Sequence, residues 1–150
     1  MVTIKKMRKK DVSILYKIAL RSFQSDYEKY GVYPLLINLK KKKFIPPIIF
    51  GKTLFAEDVI IGGMFVARLG KKGEIGAIFL DTPYQHKGYG KEAILAVERS
   101  YPKVKKWKLE TLSSNYELHC FNESLGYVKT GEILDKKSGM NGFVYEKNVE

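Results

Sequence analysis

Apolar positions along the chain switch between two spacings, and each switch marks an element. Val2 to Met7 reads as a short strand. Val12, Leu15, Tyr16, Ala19, Leu20 and Phe23 then recur at helical intervals behind Asp11, a residue suited to capping a helix start. An irregular stretch is expected from Gln24 to Pro34, then a second helix from Leu35 to about Lys43, cut off by Ile45-Pro46-Pro47. From Thr53 the chain turns to Val, Ile and Phe. Thr53 to Glu57, Val59 to Leu69 and Glu74 to Leu80 read as antiparallel strands, the last two joined by the turn Gly70-Lys71-Lys72-Gly73. Strict alternation would put Glu74 on one face with Gly76, Ile78 and Leu80.

A helix burying Ala93, Ile94 and Val97 follows and stops at Pro102, and Lys106 to Leu112 is again strand-like. Strand, helix and strand in this order favour a parallel pair with a right-handed crossover. Ser114-Asn115-Tyr116-Glu117 matches a capping box, Leu118, Phe121 and Leu125 share a helical face, and Gly126 stands where a C-terminal glycine ends a helix. Strands Tyr127 to Ile133 and Phe143 to Val149 close the chain around a Gly139 to Gly142 turn. The prediction is a single α+β domain over residues 1–150, a mixed sheet flanked by helices, with no internal repeat or linker.

Composition fits that reading. The 150 residues, 45% apolar and 29% charged, suffice for one core and exclude a disordered or fibrous chain. Lys and Arg number 27 against 16 Asp and Glu, a net charge of +11 that would attract phosphates, nucleic acid or anionic lipid. Cys120, the single cysteine, excludes an internal disulfide framework and a cysteine-based zinc site, and two histidines without clustered carboxylates predict no metal. Met1 runs straight into Val2-Thr3-Ile4, and the apolar stretch Phe44 to Phe50 is short and broken by prolines. A cytoplasmic chain that neither spans a membrane nor is secreted is therefore expected.

The most informative segment is Leu80-Asp81-Thr82-Pro83-Tyr84-Gln85-His86-Lys87-Gly88-Tyr89-Gly90-Lys91, which sets two glycines between a strand and an amphipathic helix. Glycine permits positive φ and close ligand approach, and the first turn of a helix offers unpaired amides beside the positive end of its dipole. The amides of His86 to Lys91, with Lys87 and Lys91 at the rim, form a candidate phosphate site; the alternative is a tight loop that only joins strand to helix. A nucleoside-triphosphate loop needs a hydroxyl after its lysine, and Glu92 stands there. Gly88-Tyr89-Gly90-Lys91-Glu92-Ala93 also fits a dinucleotide fingerprint with Glu110 downstream. The Asp81 to Lys87 loop is long for that turn, however, and too little chain follows for a doubly wound sheet.

Gln85-His86-Lys87-Gly88-Tyr89-Gly90 is a Q/R-x-x-G-x-G/A signature and, with the preceding strand, closely resembles the GNAT superfamily of acetyl-CoA-dependent N-acyltransferases. The segment from Asn115 through Phe121 to Leu125-Gly126-Tyr127 resembles that family's later helix. The resemblance implies a mostly antiparallel sheet splayed where pantetheine lies, and a transfer of acetyl from acetyl-CoA to a primary amine of a small molecule or peptide. It further implies that Phe79, Leu80 and Asp81 meet pantetheine, that Gln85, His86, Lys87, Gly88, Tyr89, Gly90 and Lys91 form the signature loop at the pyrophosphate, and that Asn115 contacts the coenzyme or else starts its helix.

An alkylammonium acceptor with a pKa of about 10.4 is neutral in roughly one part in several thousand at pH 7, so deprotonation is equivalent to roughly 4.6 kcal/mol. Glu74 matches the position of the base in the histone-acetylating branch, directly or through water; its alternative role is a solvated strand end. Where the family places a tyrosine as thiolate acid this chain has Asn122, which can donate a hydrogen bond but cannot lend a proton in that way. Tyr116 and Tyr84 are further candidates for the acid. Adjacent on a helix, His119 and Cys120 would not face one another, and Cys120 is expected to be partly buried. Tyr27, Tyr30 and Tyr33, with Asp26 or Glu28, are candidates for an amine pocket. Two other classes stay open: a coenzyme-binding sensor without catalysis, and a basic module using Lys40 to Lys43 and Lys103, Lys105, Lys106 and Lys108, although no recognised nucleic-acid motif accompanies them. A homodimer is compatible with the sequence.

Overall fold

The computed structural model describes residues 1–30, 50–113, 115–134 and 141–150. Strand β1 (Val2–Lys6) leads through a short 3-10 turn, Lys9–Asp11, into α1 (Val12–Tyr30). Then come β2 (Gly51–Ala56), β3 (Val59–Leu69), β4 (Lys72–Leu80), α2 (Tyr89–Ser100), β5 (Lys106–Leu112), α3 (Tyr116–Ser124), β6 (Val128–Leu134) and β7 (Asn141–Asn148). The described strands form one sheet in the order β1-β2-β3-β4-β5-β7-β6, antiparallel except for the parallel β4–β5 pair. Among the described residues no helix is long and apolar enough to cross a membrane.

Alternation of side chains divides the core between the two faces of the sheet. On one face Ala93, Ile94 and Val97 of α2 pack with Leu54, Ile61, Met64, Ile75, Trp107, Leu109, Leu125 and Tyr145. On the other, Val12, Leu15, Ile18, Ala19 and Phe23 of α1 cover Phe65 and Phe79. Trp107, fully buried, lies over Gly73, where a Cβ would meet its ring at 2.5 Å.

Several expectations need correction. Helix α1 runs on to Tyr30, so Gln24 to Tyr30 is helical rather than irregular. Asp11 ends the 3-10 turn, and its carboxylate accepts from Arg8 Nε at 3.1 Å. The expected helix at Leu35 to Lys43, the residues Tyr33 and Ser114, and the tip of the β6–β7 connection lie outside the described residues; Gly142 itself belongs to β7. The cap of α3 is Asn115, whose side-chain oxygen accepts from Leu118 N at 3.2 Å. Asn115→Ala is therefore expected to destabilise the fold by about 1 kcal/mol, read as a lower midpoint in thermal unfolding; an unchanged midpoint would mean the cap is idle. At the far end Gly126, with φ of 93°, closes α3 as its C-terminal glycine, the amide of Tyr127 returning to Asn122 O at 3.1 Å.

The face of Glu74 also differs from expectation. The β3–β4 register slips between Phe65 and Val66: Val66 pairs with Ile75, but Phe65 pairs with Ala77, leaving Gly76 as an extra residue. Parity inverts there. Ile75, Ile78 and Leu80 join the α2 side, and Ala77 and Phe79 join the α1 side. Glu74 thus shares the α1 face with Ala77 and Phe79, not with Ile78 and Leu80.

Candidate functional site

Beside the bulge the sheet comes apart. Strands β4 and β5 pair only from Lys72 with Lys106 to Ile75 with Leu109. Beyond that, Ala77–Leu80 stays paired with β3 and Glu110–Leu112 with β7, while β4 and β5 no longer pair with each other. Backbone groups on a buried edge require partners, so the cleft suits an elongated ligand carrying its own amides.

The glycine loop stands at the mouth of this cleft. Asp81 starts a short 3-10 turn over Thr82–Tyr84, His86 takes φ of 61° and Gly88 φ of 86°, and Gly88 is the N-cap of α2. Its amides precede the first helical bond, Glu92 N to Gly88 O at 3.1 Å, and so lack partners within the helix. His86, Lys87 and Lys91 are exposed, and Tyr89 is half-buried with its ring edge-on to Tyr84 at 6.0 Å. Gly90 packs against α3: a Cβ there would touch Phe121 at 3.4 Å. These donors at a helix N-terminus fit a diphosphate.

Four described polar side-chain atoms are buried without a hydrogen-bond partner: Thr53 Oγ1, Trp107 Nε1, Thr111 Oγ1 and Asn122 Nδ2. Thr111 lies on the free part of β5, two residues beyond Leu109 and on the same face, and Asn122, 2% exposed, lies on α3. An unpaired buried donor costs about 1–3 kcal/mol, which a polar ligand in the cleft would offset. Asn115, by contrast, uses its side-chain oxygen on its own helix.

The vertex of the cleft is charged on the α1 face. Lys108 Nζ lies 3.2 Å from Glu110 Oε1, and Lys108 is the register partner of Glu74. The hydrogen bond that Lys108 donates to Glu110, with the charges of Glu74, Glu110 and Glu146, raises the Lys108 pKa and keeps it an ammonium. Glu146, opposite on β7, is held below the ordinary carboxylate range by Thr130 Oγ1 at 2.6 Å and by nearby lysines. Had the ladder continued, Glu110 would have stood beside Gly76; it is the first residue of the free β5 edge, whereas Glu74 lies one pair inside the closed ladder. In the sequence Glu110 figures only in a dinucleotide pattern; its relation to Glu74 depends on the register of the parallel pair, which local spacing does not carry.

Other candidates fall elsewhere. Tyr116 is 74% exposed, and Cys120 is exposed rather than partly buried. The His119 ring stacks on Phe143 at 4.9 Å. Side chains of Asp26, Tyr27 and Tyr30 lie outside the described residues, as do Lys40 to Lys43. Lys103, Lys105 and Lys106 are exposed at the closed end of the β4–β5 pair. Among the described residues no three His, Cys, Asp or Glu side chains are grouped as a metal site.

The model of the acetyltransferase (GNAT) family matches residues 12–127. No curated protein matches the sequence. Among solved structures, a PaiA N-acetyltransferase from Thermoplasma acidophilum in complex with coenzyme A superposes with a TM-score of 0.79 at 21% identity, covering 99% of each chain. The ribosomal-protein-S18-alanine N-acetyltransferase of Escherichia coli gives 0.77 at 17% identity, over 99% of this chain and 94% of that one. The microcin C7 self-immunity acetyltransferase MccE, in complex with acetyl-CoA and AMP, gives 0.75 at 15%, over 99% and 92%. At these identities the superpositions establish the fold.

Proposed function

The chain belongs to the acetyltransferase (GNAT) family of acyltransferases, and from that premise we propose that it acetylates a primary amine on a small molecule or peptide by direct attack. The observation that carries this reading is the cleft opened beyond Ile75 and Leu109, with the Gly88 loop at its mouth. Acetyl-CoA supplies an activated thioester; the neutral amine nitrogen bonds to the acetyl carbon, the carbon–sulfur bond breaks, and the sulfur leaves as a thiolate that takes its proton from water.

In this reading the end of β4 at Phe79, Leu80 and Asp81 meets pantetheine, and the amides of His86 to Lys91 hold the diphosphate, with Lys87 and Lys91 adding charge. Asn122 Nδ2 and Thr111 Oγ1 supply hydrogen bonds inside the cleft. The acceptor ammonium gives a proton to a carboxylate at the vertex, and the neutral amine so formed attacks. Glu110, on the open edge, is the first choice for that base, with Glu74 behind it across Lys108. Since Asn122 cannot act as a phenol does, the thiolate, with a pKa of about 8.5, leaves without a dedicated acid.

Calorimetry with acetyl-CoA tests the coenzyme part. The intact protein is expected to release heat on titration, and Gly88→Val to weaken binding about tenfold, because positive φ is strained for a β-branched residue. Absence of heat from acetyl-CoA would defeat the proposal. Thiol release across amines, peptides and aminoglycosides then identifies the acceptor, and binding without turnover on any of them would instead favour a coenzyme sensor.

A further inference from the structure

Two side chains of the glycine-loop segment are already engaged, and both reach back to α1. Asp81 Oδ1 and Oδ2 accept from Arg21 Nε and Nη2, each at 2.9 Å, and Oδ1 also accepts from Thr82 N at 3.0 Å. Gln85 Nε2 donates to Leu80 O at 2.9 Å and to Ser22 Oγ at 3.4 Å. Ser22 is buried, and Asp81 N donates to Ile61 O at 2.8 Å, so the end of β4 is tied on one side to β3 and on the other to consecutive residues of α1. The forked Arg21 contact holds the Asp81 carboxyl below its ordinary range.

We infer that Arg21 is a positioning residue for the coenzyme, acting through Asp81, with Gln85 and Ser22 as the second tie. This rests on the reading that the loop holds the coenzyme diphosphate. Asp81 ends the strand that leads into that loop, and a bare carboxylate there would repel an anion arriving at the helix N-terminus. The guanidinium cancels this charge and fixes the strand end from which the loop departs. Arg21 is 51% exposed on its side chain, so the pair contributes little to global stability. Its effect belongs to the ligand.

The experiment measures CoA affinity by calorimetry on the full chain for wild type, Arg21→Ala, Asp81→Asn, the double variant and Gln85→Ala, at low and high salt, with thermal midpoints alongside. Arg21→Ala is expected to raise Kd roughly tenfold at low salt with a midpoint close to wild type, and by less at high salt, where the exposed carboxylate is screened. Adding Asp81→Asn should restore Kd to within about threefold of wild type, since it removes the charge that Arg21 balances. Gln85→Ala should also weaken CoA, without that salt dependence. An Arg21→Ala variant that binds CoA like wild type overturns the inference, and so does a double variant no better than Arg21→Ala alone. If wild type binds no CoA, the coenzyme reading fails and takes the inference with it; if wild type binds and only the variants are unaffected, the inference alone falls.

Discussion

Gly62→Ala is expected to destabilise the protein by about 3 kcal/mol, lowering the thermal midpoint by roughly 10 °C. Gly62 pairs with Leu80, and a Cβ on it would collide with the backbone carbonyl oxygen of Phe79 and press on the Leu80 Cα at 3.0 Å. Backbone cannot rotate away as a side-chain tip can, so β3 and β4 must separate at the end where the cleft opens. The contrast is Gly76→Ala, where the nearest atom to the added Cβ is Phe65 Cβ at 3.7 Å, an ordinary contact. It should cost less than about 1 kcal/mol. Equal midpoints for Gly62→Ala and wild type would show that the strands close with slack that the structure does not have.

How far the sequence discloses this architecture depends on the range of the interaction responsible. Elements and loops set by neighbouring residues are legible: the β-rich runs from Thr53, the helix after Gly90, and the Gly126 terminus all follow from residue type and spacing within a few positions. Helix α1 outruns its expected end because Gln24 to Tyr30 has no apolar stripe to announce it, yet nothing in it breaks a helix. The face of Glu74 is inverted by one extra residue at Gly76, and alternation counted along a single strand cannot register a bulge defined by its partner. The same limit hides the Arg21–Asp81 pair, whose members are 60 positions apart, and the meeting of Glu74, Lys108 and Glu110. Chemistry written in one segment is readable; chemistry assembled by strand pairing is not.

That assembly makes the second large effect a comparison between two carboxylates. Glu110→Gln keeps size and shape but cannot take a proton, so kcat on the true acceptor is expected to fall about 100-fold or more while CoA affinity stays within about twofold. Glu74→Gln should cost about tenfold or less, because Glu74 lies inside the closed part of the ladder, opposite Lys108. The pH profile separates a base from a mere anion. If Glu110 accepts the proton, the pH profile of kcat/KM changes shape in Glu110→Gln relative to wild type. Raising the pH then partly restores the variant by supplying more neutral amine. A larger loss in Glu74→Gln would return the base to β4, where sequence alone places it. Undiminished turnover in both variants would mean that the acceptor arrives already neutral, and that the vertex serves only to hold it.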